Sequence, residues 1–142
     1  MIKTNTQDRK YSSVKEIRER EQKEQEIKLK EDCEALALER YGDKAVKQWS
    51  NQNKGIWYLP VLNTGGDKIE ALAIMKPVDR NILSYASTKI TEEGLYAFLE
   101  ACMRECFIAG DECILDDDDF FIPAASKFNA ILEGRKAALL KR

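Results

Sequence analysis

The densest set of chemistry-bearing side chains in this sequence is the run Asp116, Asp117, Asp118 and Asp119. Calcium takes about six to eight oxygen ligands, usually from alternating loop positions around a glycine turn with a distal glutamate. Consecutive aspartates followed at once by Phe120 and Phe121 do not follow that spacing. They suit a helix start, where acidic side chains cap exposed N–H groups and oppose the positive end of the helix dipole. The cysteines are Cys33, Cys102, Cys106 and Cys113. Structural zinc needs paired knuckles and a four-ligand set. Cys102 and Cys106 instead stand one helical turn apart within an apolar stripe, the pattern of thiols packed as small hydrophobes. Gly65, Gly66 and Lys68 lack the spacing of a phosphate-binding P-loop and read as a hairpin tip. The sequence contains no histidine, which excludes His-dependent hydrolases and removes the most common general base. No catalytic, cofactor-binding or metal-binding residue is assigned, and the expectation is a protein that is not an enzyme.

The elements that carry these residues follow from composition and periodicity. The chain has 142 residues, enough for one domain and an appendage. Charged residues make up 34% and hydrophobic residues 44%, with the charge concentrated in the first forty positions or so. The net charge of −2 leaves no electrostatic footprint for nucleic acid. Arg135, Lys136, Lys141 and Arg142 make the last residues locally basic, which suits the negative end of a helix. With no apolar run of membrane-spanning length and no apolar segment at the start, the expectation is no membrane, a cytoplasmic location and reduced thiols.

The fold expected is α+β: a mostly helical domain with one antiparallel β-hairpin and a long charged N-terminal helix. Residues 1–11 read as a disordered tail and residues 12–41 as a charged helical arm. Ser12 or Ser13 caps the arm, with Glu16 positioned as in a capping box. Glu16–Arg20, Glu19–Lys23, Glu24–Lys28 and Glu26–Lys30 are acid-first i,i+4 pairs, each contributing roughly 0.3–0.5 kcal/mol. Val14 and Ile17 are isolated on its front half. Residues 42–142 form the α+β domain. A short helix opens it after Gly42, with Ala45, Val46 and Trp49 at helical spacing. The hairpin spans 56–75, turning at 63–67, and Pro60 points to an edge or bulged first strand. A third strand, from this chain or a partner, could extend it. Helices are expected at 78–89, 91–109 and 117–142. Ile82, Leu83, Tyr85 and Ala86 are assigned to the inner side of the first. Leu95, Phe98, Leu99, Cys102, Met103 and Cys106 form the buried stripe of the second, which Thr91 caps and Gly110 ends. Asp116 or Asp117 caps the last, with Pro123 near its first turn.

Lys76, Pro77, Asp79 and Arg80, then Cys106, Phe107, Gly110 and Asp111, then the run 116–119 occur in an order that resembles the tail assembly chaperone-like proteins of tailed bacteriophages. The likeness covers about residues 55–142. It departs at Ala109, where that family often has a second glycine, and in the charged arm. The resemblance implies a small, non-enzymatic cytoplasmic protein without cofactors. Such a protein binds the tape measure protein and/or tail tube subunits during tail assembly and is absent from the finished virion. A structural virion component, such as a head or tail adaptor, and a generic protein–protein interaction domain are the alternatives. Any of these needs exposed apolar or strand-edge surface. The candidates for partner binding are Ile56, Trp57, Tyr58 and Val61 on the edge strand, Trp49 beside it, and Ile17 and Ile27 on the arm. The partner expected is a protein, with self-association left open.

Overall fold

The computed structural model describes residues 6–132 and 138–142. The chain divides into two compact units, Met1–Arg40 and Tyr41–Arg142. Helix α1 spans Thr6–Tyr41, a run of 36 residues and thus about 54 Å of helix. It starts inside the segment expected to be a tail, because no glycine or proline interrupts the sequence before Gly42. Residues 1–5 of that expected tail lie outside the described residues. Along α1, Val14, Ile17 and Ile27 are exposed, while Cys33 and Ala37 are buried.

In the second unit, α2 (Asp43–Gln52) buries Val46, and the rings of Tyr41 and Trp49 meet edge to face at 5.3 Å. Strands β1 (Trp57–Leu62) and β2 (Ile69–Met75) form the expected antiparallel hairpin. At its tip Asn63 accepts from the backbone N–H groups of Asp67 and Lys68 through its side-chain oxygen and donates to the Asp67 carboxylate. Helix α3 (Arg80–Glu93) is capped by Asp79, whose carboxylate accepts from the Ile82 N–H at 2.9 Å. Thr91 lies within α3 rather than capping the next helix. Its hydroxyl donates back to the Thr88 carbonyl, so it is not free to cap. The break falls at Gly94, at φ 94°, where the backbone adopts a conformation that side chains disfavour. Helix α4 then runs over Leu95–Cys106.

Beyond α4 the structure departs from the expectation of a helix continuing to 109. Phe107–Gly110 is a third strand, β3, giving a sheet of order β1-β2-β3. The exposed backbone of β2 needs hydrogen-bond partners on that side, and this segment supplies them. The Lys76 N–H donates to the Cys106 carbonyl at 2.8 Å at one end. At the other end Asp111 serves Leu72 twice: its N–H donates to the Leu72 carbonyl, and its carboxylate accepts from the Leu72 N–H, both at 2.9 Å. Between them Gly110, at φ 134°, passes so close to β2 that a Cβ there would lie 2.3 Å from the Leu72 carbonyl oxygen.

The same contacts explain Pro60. Leu72 is its cross-strand partner and directs both backbone groups away from β1, toward Asp111. Pro60 therefore occupies a non-hydrogen-bonded pair position, where its missing N–H costs the ladder nothing.

The short helix α5 (Cys113–Asp116) leads into α6 (Asp118–Ile131). Asp117 is the α6 cap, accepting from the Asp119 N–H at 3.0 Å. Pro123 stands inside α6, past its first turn. The expected helix to 142 is shorter than the sequence suggested: residues 138–142 are not helical, and Leu139 and Leu140 are fully open at 101% and 87% exposure. Short helical segments without a packing surface are marginal in water. The intervening part of that expected helix, 133–137, lies outside the described residues.

The core of the second unit packs one sheet face, through Leu59, Val61, Ala71, Ala73 and Met75, against α3, α4, α5 and α6. Alternation puts the fully buried Leu72 and Ile74 on the opposite face. Among the described residues no polar or charged side chain is buried, so this core is held by apolar packing alone.

Candidate functional site

The aspartate run is distributed among structural tasks. Asp117 caps α6, and Asp118 and Asp119 lie in its first turn, a favourable position against the helix dipole. Asp116 accepts from the Arg104 guanidinium at 2.9 Å, and the same guanidinium donates to Glu100 at 3.1 Å. These hydrogen bonds raise the Arg104 pKa above its ordinary value. The group ties the last turn of α4 to the end of α5. All three side chains are well exposed, which limits each pair to a contribution of about 1 kcal/mol or less.

The cysteines are desolvated. Burial, with a smaller contribution from neighbouring Cys102, pushes the Cys106 thiol up to about 12. Burial also pushes Cys33 up to about 11, aided by Asp32. Cys102 and Cys113 are raised as well, burial being the main cause in each. The thiolate is the reactive form, so at neutral pH these groups are protonated packing atoms. Cys102 and Cys106 both face the core, as their spacing within the apolar stripe predicts. Among the described residues no group of three Cys, Asp or Glu side chains is arranged to hold a metal ion. No described helix is long and apolar enough to cross a membrane.

The residues expected to meet a partner separate into groups. Trp57 is 50% exposed at the start of β1, and Ile17 and Ile27 are exposed on α1. Ile56 and Tyr58 are half-buried, and Trp49 is half-buried against Tyr41. Val61 is a correction: at 7% exposure it belongs to the core, because alternation along β1 directs it inward together with Leu59.

A second apolar surface stands where the sequence pattern did not put one. Of the four residues assigned to the inner side of α3, Ile82 and Ala86 are buried but Leu83 and Tyr85 are exposed. Leu95, assigned to the buried stripe of α4, is exposed too. They are joined by Ile90, Tyr96 and Ile122. Ile90 and Leu95 flank the Gly94 corner at which α3 turns into α4. The Tyr96 ring meets the Phe121 ring at 6.4 Å, which brings the start of α4 beside the first turns of α6, where Ile122 follows Phe121. Ile90, Leu95 and Tyr96 thus lie within five residues of the Gly94 turn, and Ile122 adjoins the Phe121 that Tyr96 meets, a region termed the corner. Acidic side chains border it: Glu92 and Glu93 at the end of α3, and Asp118 and Asp119 about one turn ahead of Ile122 on α6, all exposed. The sequence signal for this corner is an excess: α3 and α4 carry more large apolar residues than one buried stripe accommodates.

Compared with protein-family models, with curated proteins and with solved structures, the chain matches none.

Proposed function

We propose that this chain is a non-enzymatic assembly chaperone of the phage-tail type, binding a long helical tape measure protein and/or tail tube subunits while the tail is built. The observation that carries the reading is the acid-bordered apolar corner of Ile90, Leu95, Tyr96 and Ile122. Large apolar side chains exposed near one turn of a folded domain offer a surface on which a protein partner can be seated. Apolar side chains exposed on helices suit an amphipathic partner helix. Trp57 at the start of β1 offers a further aromatic anchor.

The residues that carry the family resemblance support the reading in a different way. Asp79 caps α3, Gly110 permits the close passage of β3, Asp111 satisfies Leu72, and Asp117 caps α6. They act at backbone junctions, so they specify a scaffold and leave client contact to the surface between them.

The test is capture of the tagged chain co-expressed with the products of its neighbouring genes. Recovery of a long helix-rich partner or of tail tube subunits supports the chaperone reading. Recovery of capsid or portal-type subunits, together with this chain in purified particles, replaces it with a structural virion component.

A further inference from the structure

We infer that the acidic apolar corner is also covered by the basic C-terminal segment of a second copy of this chain, making the free protein a self-associated form. Two unsatisfied surfaces on the second unit have complementary chemistry. One is the corner itself, apolar at Ile90, Leu95, Tyr96 and Ile122 and bordered by Glu92, Glu93, Asp118 and Asp119. The other is the segment 138–142, where Leu139 and Leu140 have no packing partner and are followed at once by the cations Lys141 and Arg142.

Two adjacent leucines left in water forgo the stabilisation that burying their apolar surface would give. Seating them among the corner's apolar side chains recovers part of that energy and sets Lys141 and Arg142 against the acidic border. The cations give register and sign selectivity, because an acidic or neutral tail gains nothing from that border. The arrangement is reciprocal. Each copy has one corner and one tail, so two exchanged tails close a symmetric dimer without leaving a free end.

This inference deepens the client reading, since both assign the same corner. A basic amphipathic client helix would displace the tail, and the apolar corner would be shielded until a client arrives. The two ideas separate experimentally, because self-association is measured on the isolated protein with no client present.

The experiment is sedimentation equilibrium of the full chain and three variants, with far-UV circular dichroism as a check of fold. The variants are Glu92→Lys with Glu93→Lys, Lys141→Glu with Arg142→Glu, and all four exchanges in one chain. These positions are exposed, so the exchanges leave the core untouched. The expected result is a dimer whose dissociation constant rises at least about tenfold in either double variant and returns toward the original value when all four are combined. Dissociation should also be promoted by salt. Leu139→Ser with Leu140→Ser should give a monomer. A full chain that is monomeric throughout, a dimer indifferent to these exchanges, or a monomer whose own tail is protected from carboxypeptidase would overturn the inference.

Discussion

Helices α1 and α4 have the same secondary structure for different physical reasons. Over its front, α1 presents Val14 and Ile17 to water and has no apolar face to bury; an uninterrupted run of helix formers and acid-first i,i+4 pairs favours it locally. Helix α4 is a third as long, at 12 residues against 36, but buries Phe98, Leu99, Cys102, Met103 and Cys106. The first is a helix of local propensity and the second a helix of tertiary packing. The difference shows why apolar surface left over on α3 and α4 is informative, whereas charge on α1 is the ordinary state of a solvated helix.

Perturbations should therefore act very unequally on the two. The largest effect is expected at the point where α4 gives way to β3. Gly110→Ala drives a Cβ into the Leu72 carbonyl at a backbone conformation that favours glycine. It should lower unfolding free energy by on the order of 4 kcal/mol, measured by urea titration. A loss under about 1 kcal/mol would mean that β3 moves aside easily.

Within α4, Leu99→Ala removes a side chain that is 2% exposed, and should cost about 2–5 kcal/mol in the same titration.

The buried thiols sharpen the contrast through pH. Cys106 holds its proton to about 12 when folded and ionises near its ordinary value of 9.0 when unfolded. Its contribution is therefore intact below pH 9 and is lost as pH rises from 9 toward 12, because the unfolded chain releases the proton first. The slope approaches about 1.4 kcal/mol per pH unit for each such thiol. Urea midpoints measured across that range should fall, and Cys106→Ala should make the fall shallower. An unchanged slope in that variant would remove the buried thiol from the explanation.

The smallest global effect belongs to α1. Gln25→Gly should weaken the local helix by about 1 kcal/mol and reduce far-UV ellipticity. The cooperative transition of the second unit should stay where it was. If Gln25→Gly shifts that transition as Leu99→Ala does, the distinction between the two helices fails.

Much of this architecture was legible in the sequence. The hairpin announced itself through 63–67 and the β-rich runs on either side, and Pro60 placed β1 at the sheet edge. The charged arm and the stripe from Phe98 to Cys106 were readable from spacing. Strand β3 was hidden because Phe107 and Ile108 continue the apolar pattern of α4, and only the vacant edge of β2 turns them into a strand. The break at Gly94 was displaced to Thr91, since a threonine followed by glutamates looks like a cap until its hydroxyl is seen bonded backward. The candidate surface was the least legible part. Leu83, Tyr85 and Leu95 satisfy a helical stripe, and only the packed neighbours decide that they remain outside. Val61 erred in the opposite direction, because an edge strand is open along its backbone while one side-chain face is still core.

The most direct test is capture of the proposed helical partner by a chain carrying Leu95→Asp with Ile122→Asp, compared with the unaltered protein. Both positions are exposed, so folding should be preserved and circular dichroism should overlay. The account predicts that the altered chain loses the tape measure or tail tube partner that the unaltered chain retains. Equal recovery of that partner by both chains would contradict the assignment of this corner as the binding surface.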